Sequence, residues 1–64
     1  MISARVRSSA IREVQYEPSG ERLIVIFAKG GSASYLDVPR SVFDAMIRAP
    51  SVGRYYRQVV RKRY

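Results

Sequence analysis

The sequence predicts an α+β fold: a three-stranded antiparallel meander followed by two helices packed on one face of the sheet. Three observations predict it. Between Ala10 and Val38 the apolar residues follow the period of two of a strand, broken twice by turn chemistry. After Pro39 the spacing changes to that of amphipathic helices, and Pro50 divides the stretch in two. The 64 residues include no cysteine and no histidine, so neither disulfides nor the usual zinc ligand sets hold the chain together. A chain this short must then rest on packing, which the 47% apolar content and seven aromatic residues allow.

Residues 1–7 read as a flexible N-terminal arm and residues 8–64 as a single domain. The first strand runs from about Ala10 to Tyr16, with Val14 and Tyr16 on one face. Ile11 breaks that parity, which calls for a bulge or a late strand start. Glu17-Pro18-Ser19-Gly20 is turn chemistry, with proline presetting φ and glycine supplying φ > 0. The second strand, Arg22 to Ala28, is apolar on both faces and reads as the central one. On it Leu23, Val25 and Phe27 face the helices, leaving Ile24 and Ile26 on an uncovered face that invites a partner. Lys29-Gly30-Gly31-Ser32 closes a second hairpin onto a third strand, Ser32 to Val38.

Pro39 ends that strand and is tolerated at the start of a helix. The first helix, Arg40 to Ala49, buries Val42, Phe43, Met46 and Ile47 and alternates Arg40, Asp44 and Arg48 outside. Ser51 then caps a second helix, about Val52 to Lys62. Val52, Tyr55, Tyr56, Val59 and Val60 form its inner face, while Arg54, Arg57, Gln58, Arg61 and Lys62 lie outside.

The order of motifs resembles the KTSC domain, named after the C-terminal extension of certain lysyl-tRNA synthetases and also found as a stand-alone small bacterial protein. The matching residues are Ser8-Ser9-x-Ile11, Val14-x-Tyr16, Leu23-x-Val25-x-Phe27, Val38-Pro39, Ala49-x-Ser51-x-Gly53-x-Tyr55 and Val60-Arg61-x-x-Tyr64. Two departures stand out. The family has a Tyr-x-Tyr motif before its Val-Pro, and here only its second tyrosine, Tyr35, is kept; Arg57 replaces a usual asparagine. The resemblance implies RNA binding without an established activity.

Composition narrows the function classes independently. Without histidine or cysteine the Ser-His and Cys-His nucleophile pairs cannot be built, and the five carboxylates are scattered, so a non-catalytic domain without metal or cofactor is expected. Gly30-Gly31-Ser32 lies between two strands rather than before a helix, so it is hairpin chemistry and not a phosphate loop. The longest apolar run, Leu23 to Ala28, has six residues, far too short to span a bilayer, and the N-terminus has no secretory h-region. A cytoplasmic protein without a membrane partner is expected.

The charge is uneven. Of the formal +7, residues 40–64 carry +6, with seven bases against Asp44 alone. Ten of the twelve bases are arginine, the planar, bidentate choice for phosphate. Arg54, Arg57 and Arg61 follow one helix face, Lys62 and Arg63 extend it, and Arg40 and Arg48 widen the patch. No acid is interleaved within residues 51–64, as a merely solvated helix face would have. Tyr35, opposite in parity to Leu36 and Val38, is placed on the open sheet face, where an aromatic beside arginines stacks a base; cross-strand packing is its other role. Gly53 admits either a phosphate or a packing neighbour.

These residues point to nucleic-acid binding, RNA ahead of DNA, with about five phosphates engaged and a salt slope near −3.5. The alternative is a protein-interaction module or homodimer using the open sheet face or an edge strand. A basic amphipathic helix lying on anionic lipid ranks third, because it needs the helix face assigned to the core.

Overall fold

The computed structural model describes all 64 residues. It is an α+β structure with one antiparallel sheet of four strands in the order β1-β2-β3-β4, followed by two helical segments. The strands are β1 (Ile2–Arg5), β2 (Ile11–Glu17), β3 (Arg22–Phe27) and β4 (Ser32–Tyr35). The expected three-stranded sheet is therefore corrected to four. The segment read as a loose arm supplies the additional strand, pairing Ile2 with Tyr16 and Ala4 with Val14. The reason is alternation: Ile2, Ala4 and Val6 are half-buried against the core, whereas Ser3, Arg5 and Arg7 face away.

The bulge called for by Ile11 is present. Ile11 pairs with Phe27 and Glu13 with Ile26, so Arg12 is the extra residue and both Ile11 and Val14 reach the core face. In the first turn the left-handed residue is Glu21 (φ 48°), not Gly20. Pro18–Gly20 wraps as a 3-10 turn closed by the Glu21 N–H donating to the Pro18 carbonyl, which leaves the re-entry into β3 to residue 21. In the second hairpin both Gly30 (φ 106°) and Gly31 (φ 82°) occupy the region that side chains avoid.

β4 ends at Tyr35, three residues before the expected boundary, because Asp37 (φ 59°) turns the chain out of the ladder. Val38 is then tied back twice: its N–H donates to the Glu21 carbonyl at 2.9 Å, and the Tyr16 hydroxyl donates to its carbonyl at 2.7 Å. Helix α1 (Arg40–Arg48) follows Pro39, and its Phe43 ring stacks on Tyr16 with centroids 5.5 Å apart.

The C-terminal helix is not uniform. It opens as α2 (Val52–Tyr55), continues through a π-helical turn (Tyr56–Val60) and closes as α3 (Arg61–Arg63). Ser51 caps it as expected, its Oγ accepting from the Arg54 N–H at 3.3 Å. The two helical segments cover the face that carries Val14, Tyr16, Leu23 and Val25, and Phe43, Met46, Val52 and Val60 complete a fully apolar buried core. On the opposite face Ile24 and Ile26 are half-buried among Ser3, Glu13, Gln15, Ser32 and Ser34. No helix is long and apolar enough to cross a membrane.

Candidate functional site

The C-terminal helix begins beside the Ser8–Ala10 segment, with Gly53 at the point of approach. A Cβ at position 53 would lie 3.4 Å from Ser8 Oγ and 3.7 Å from Ala10 Cβ. The segment is itself fixed by the Ser8 hydroxyl oxygen, which accepts from the Ala10 N–H at 3.2 Å and the Ile11 N–H at 3.3 Å. Between the two lies a cleft of about 270 Å³. Arg54, Arg57 and Arg61 line it from the helix, and Ser8 and Ser9 from the opposite side. Its apolar lining is Ala10, Ile11, Phe27 and Tyr56. At that volume, near the low end for small-molecule pockets (~300–1,000 Å³), it takes a group or a length of chain rather than engulfing a ligand.

The electrostatics are one-sided. The molecule has a single ion pair, Arg40 Nε to Asp44 Oδ2 at 3.8 Å across one helical turn, so no carboxylate lies within 4.0 Å of the three cleft guanidiniums. Glu13, the acid nearest in sequence to the Ser8 segment, is occupied on the open sheet face. It accepts hydrogen bonds from Gln15 Nε2 and the Ser3 hydroxyl, and these hold its carboxyl below the usual range. Like charges gathered in a concave surface with no counter-charge focus a positive potential there.

Beneath the arginines lies an aromatic cluster. Tyr56 meets Phe27 edge-to-face at 5.7 Å and Tyr35 at 6.2 Å, and the Tyr35 and Tyr56 hydroxyls share a hydrogen bond of 2.7 Å. Burial, then that hydrogen bond, pushes the Tyr56 phenol up to about 12, with Arg61 pulling the other way.

The structure sorts the residues singled out in the sequence. Arg54, Arg57 and Arg61 come together in the cleft. Lys62 and Arg63 are exposed on α3 and Arg48 at the end of α1, none of them lining it. Arg40 is engaged with Asp44 and influences Tyr16 rather than the cleft. The placement of Tyr35 on the open face is corrected: it pairs with Leu23 on the helix-covered face and is tied to Tyr56. The parity argument failed because it counted through Asp37, where the alternation is broken. Ser8, Ser9 and Phe27 were missed as lining residues. The signal for the serines lay in the Ser8-Ser9-x-Ile11 motif, and that for Phe27 in its place at the end of the central strand.

A family model described as the KTSC domain matches residues 7–64. The chain belongs to the KTSC domain family. A crystal structure of a KTSC domain protein from Yersinia pestis is similar to it with a TM-score of 0.89 at 29% identity, covering 97% of this chain and 87% of that one. A protein of Tsukamurella paurometabola is 37% identical over 59 residues, covering 92% of this chain and 88% of its own length. An uncharacterized protein of Stutzerimonas stutzeri is 34% identical over 59 residues, with 92% and 83% covered. In this KTSC domain, two of the family-like stretches quoted above, around Ser8 and around Gly53, are the two walls of the cleft.

Proposed function

We propose that this KTSC domain is a non-catalytic nucleic-acid-binding module that holds the phosphates of single-stranded RNA in the cleft beside its C-terminal helix. The observation that supports the reading is the convergence of Arg54, Arg57 and Arg61 on one concave surface with no carboxylate partner. Guanidinium groups present forked donors matched to phosphate oxygens, and a cleft without counter-ions raises local phosphate concentration. Ser8 and Ser9 add short polar side chains opposite them. Lys62 and Arg63, exposed on α3, contribute to the surrounding field. A binding role suits a sequence without the histidine or cysteine of the common nucleophile pairs.

Three cleft arginines rather than five spread along a helix set the salt dependence. With about 0.7 counterion released per phosphate on a single strand, the slope of log affinity against log salt is about −2. Fluorescence anisotropy of a labelled twelve-nucleotide single-stranded RNA across a salt series measures it. Replacing Arg57 and Arg61 together by Ala weakens binding alike for all sequences and flattens the slope to about −0.7. Absence of binding at low salt, or binding indifferent to salt, overturns the reading.

A further inference from the structure

The cleft does not end at the arginines. Ser9, Ala10 and Phe27 also line a second, shallower depression whose remaining wall is Lys29, at the tip of the β3–β4 hairpin. The two depressions share these three residues and so form one continuous groove. From one end to the other it presents the guanidiniums of Arg54, Arg57 and Arg61, then the half-buried ring of Phe27, then the Lys29 ammonium. No aromatic ring lies parallel to Phe27: its aromatic neighbour Tyr56 meets it at an interplanar angle of 73°. Lys29 has no carboxylate within 4.0 Å.

We infer that Phe27 is the base platform of this groove, stacking one nucleobase of a single-stranded RNA between the phosphates held by the arginines and a further one held by Lys29. The inference rests on the RNA-binding reading above and adds what the arginines alone do not supply, a requirement for the base. Cation, aromatic surface and cation in sequence match the order of phosphate, base and phosphate along a strand. An aromatic ring accepts any base because every base has a π-face, so the groove selects single strands over duplexes without strong sequence preference. Tyr35, tied to Tyr56 under the helix, is not available for that part.

The test compares an eight-nucleotide oligouridylate with an abasic oligonucleotide of the same length and charge, by anisotropy at low salt. Wild-type protein binds the base-bearing strand roughly tenfold more tightly. Phe27→Leu, which keeps an apolar side chain in the cluster but no ring, loses about tenfold on the oligouridylate and nothing on the abasic strand. Lys29→Ala weakens both strands and flattens the salt slope from about −2.8, for the three arginines and Lys29 together, to about −2 for the arginines alone. Equal wild-type affinity for the two strands overturns the Phe27 platform and leaves the arginine reading standing; failure to bind either strand overturns both. The comparison on wild-type protein needs no variant to fold.

Discussion

The hydroxyls of Tyr35 and Tyr56 lie 2.7 Å apart, joining the edge strand of the sheet to the π-helical turn of the C-terminal helix. This bond anchors the part of the helix that carries Arg57. Phe at either position removes it and leaves one phenol without its partner, at a cost of about 1 kcal/mol. The double variant costs less than the two single ones together, by ~0.5–1 kcal/mol, in a double-mutant cycle from urea unfolding.

The same pair gives the protein an alkaline limit. The folded Tyr56 phenol is raised from 10.0 to about 12, so its stabilising contribution is complete below pH 10 and falls as pH rises towards 12. Over that range the unfolded chain releases a proton that the folded one keeps. Phenolate absorbance should show Tyr56 ionising after exposed tyrosines, and Tyr56→Phe should make the loss of stability between pH 10 and 12 shallower. Ionisation of all tyrosines together near 10 in the folded protein contradicts this assignment.

Strand β1 is a structural part of the domain. Deleting residues 1–6 bares one edge of β2 and removes Ile2, Ala4 and Val6 from the core surface. A domain of this size has roughly 3–10 kcal/mol to lose, and half-burying one aliphatic side chain is worth ~1 kcal/mol. The truncated chain should therefore melt well below the full one by circular dichroism. An unchanged melting temperature would mean that the segment contributes only a tail.

Ser51 couples stability to the site, because the N–H that it caps belongs to Arg54. Ser51→Ala should cost about 1 kcal/mol in denaturant unfolding, with Ser51→Asn restoring most of it. RNA binding should weaken in the alanine variant only as far as the first helical turn frays.

Gly53 separates two size limits. At 3.4 Å from Ser8 Oγ a single methyl is in ordinary contact, so Gly53→Ala should be neutral or stabilise by ~0.5 kcal/mol through helix propensity. The branched side chain of Gly53→Val displaces the Ser8–Ala10 wall and should weaken RNA binding more than it lowers the melting temperature.

The elements whose signals are local were legible in the sequence. Pro39, Pro50 and Ser51 mark the helix boundaries, Gly30-Gly31 the hairpin, and the misfit of Ile11 the bulge. What escaped depends on partners distant along the chain. Ile2, Ala4 and Val6 alternate too briefly to declare a strand until β2 stands beside them. The turn at Asp37 reversed the face assigned to Tyr35, and the π-helical turn satisfies the same apolar spacing as an uninterrupted α-helix. Within the site, the arginines announced themselves by uncompensated charge, whereas Ser9 and Phe27 become lining residues only where the C-terminal helix lies beside residues 8–11 and the end of β3.

The sheet is a meander in which every strand pairs with its neighbour in sequence, so its pairings need only short loop closures. The cleft obeys the opposite rule. Its walls come from residues 8–11 and 51–61, near the two ends of the chain, and they meet only after the last helix docks. The arginine groove thus exists only once the C-terminal helix has docked, whereas the strand pairings of the sheet do not require it.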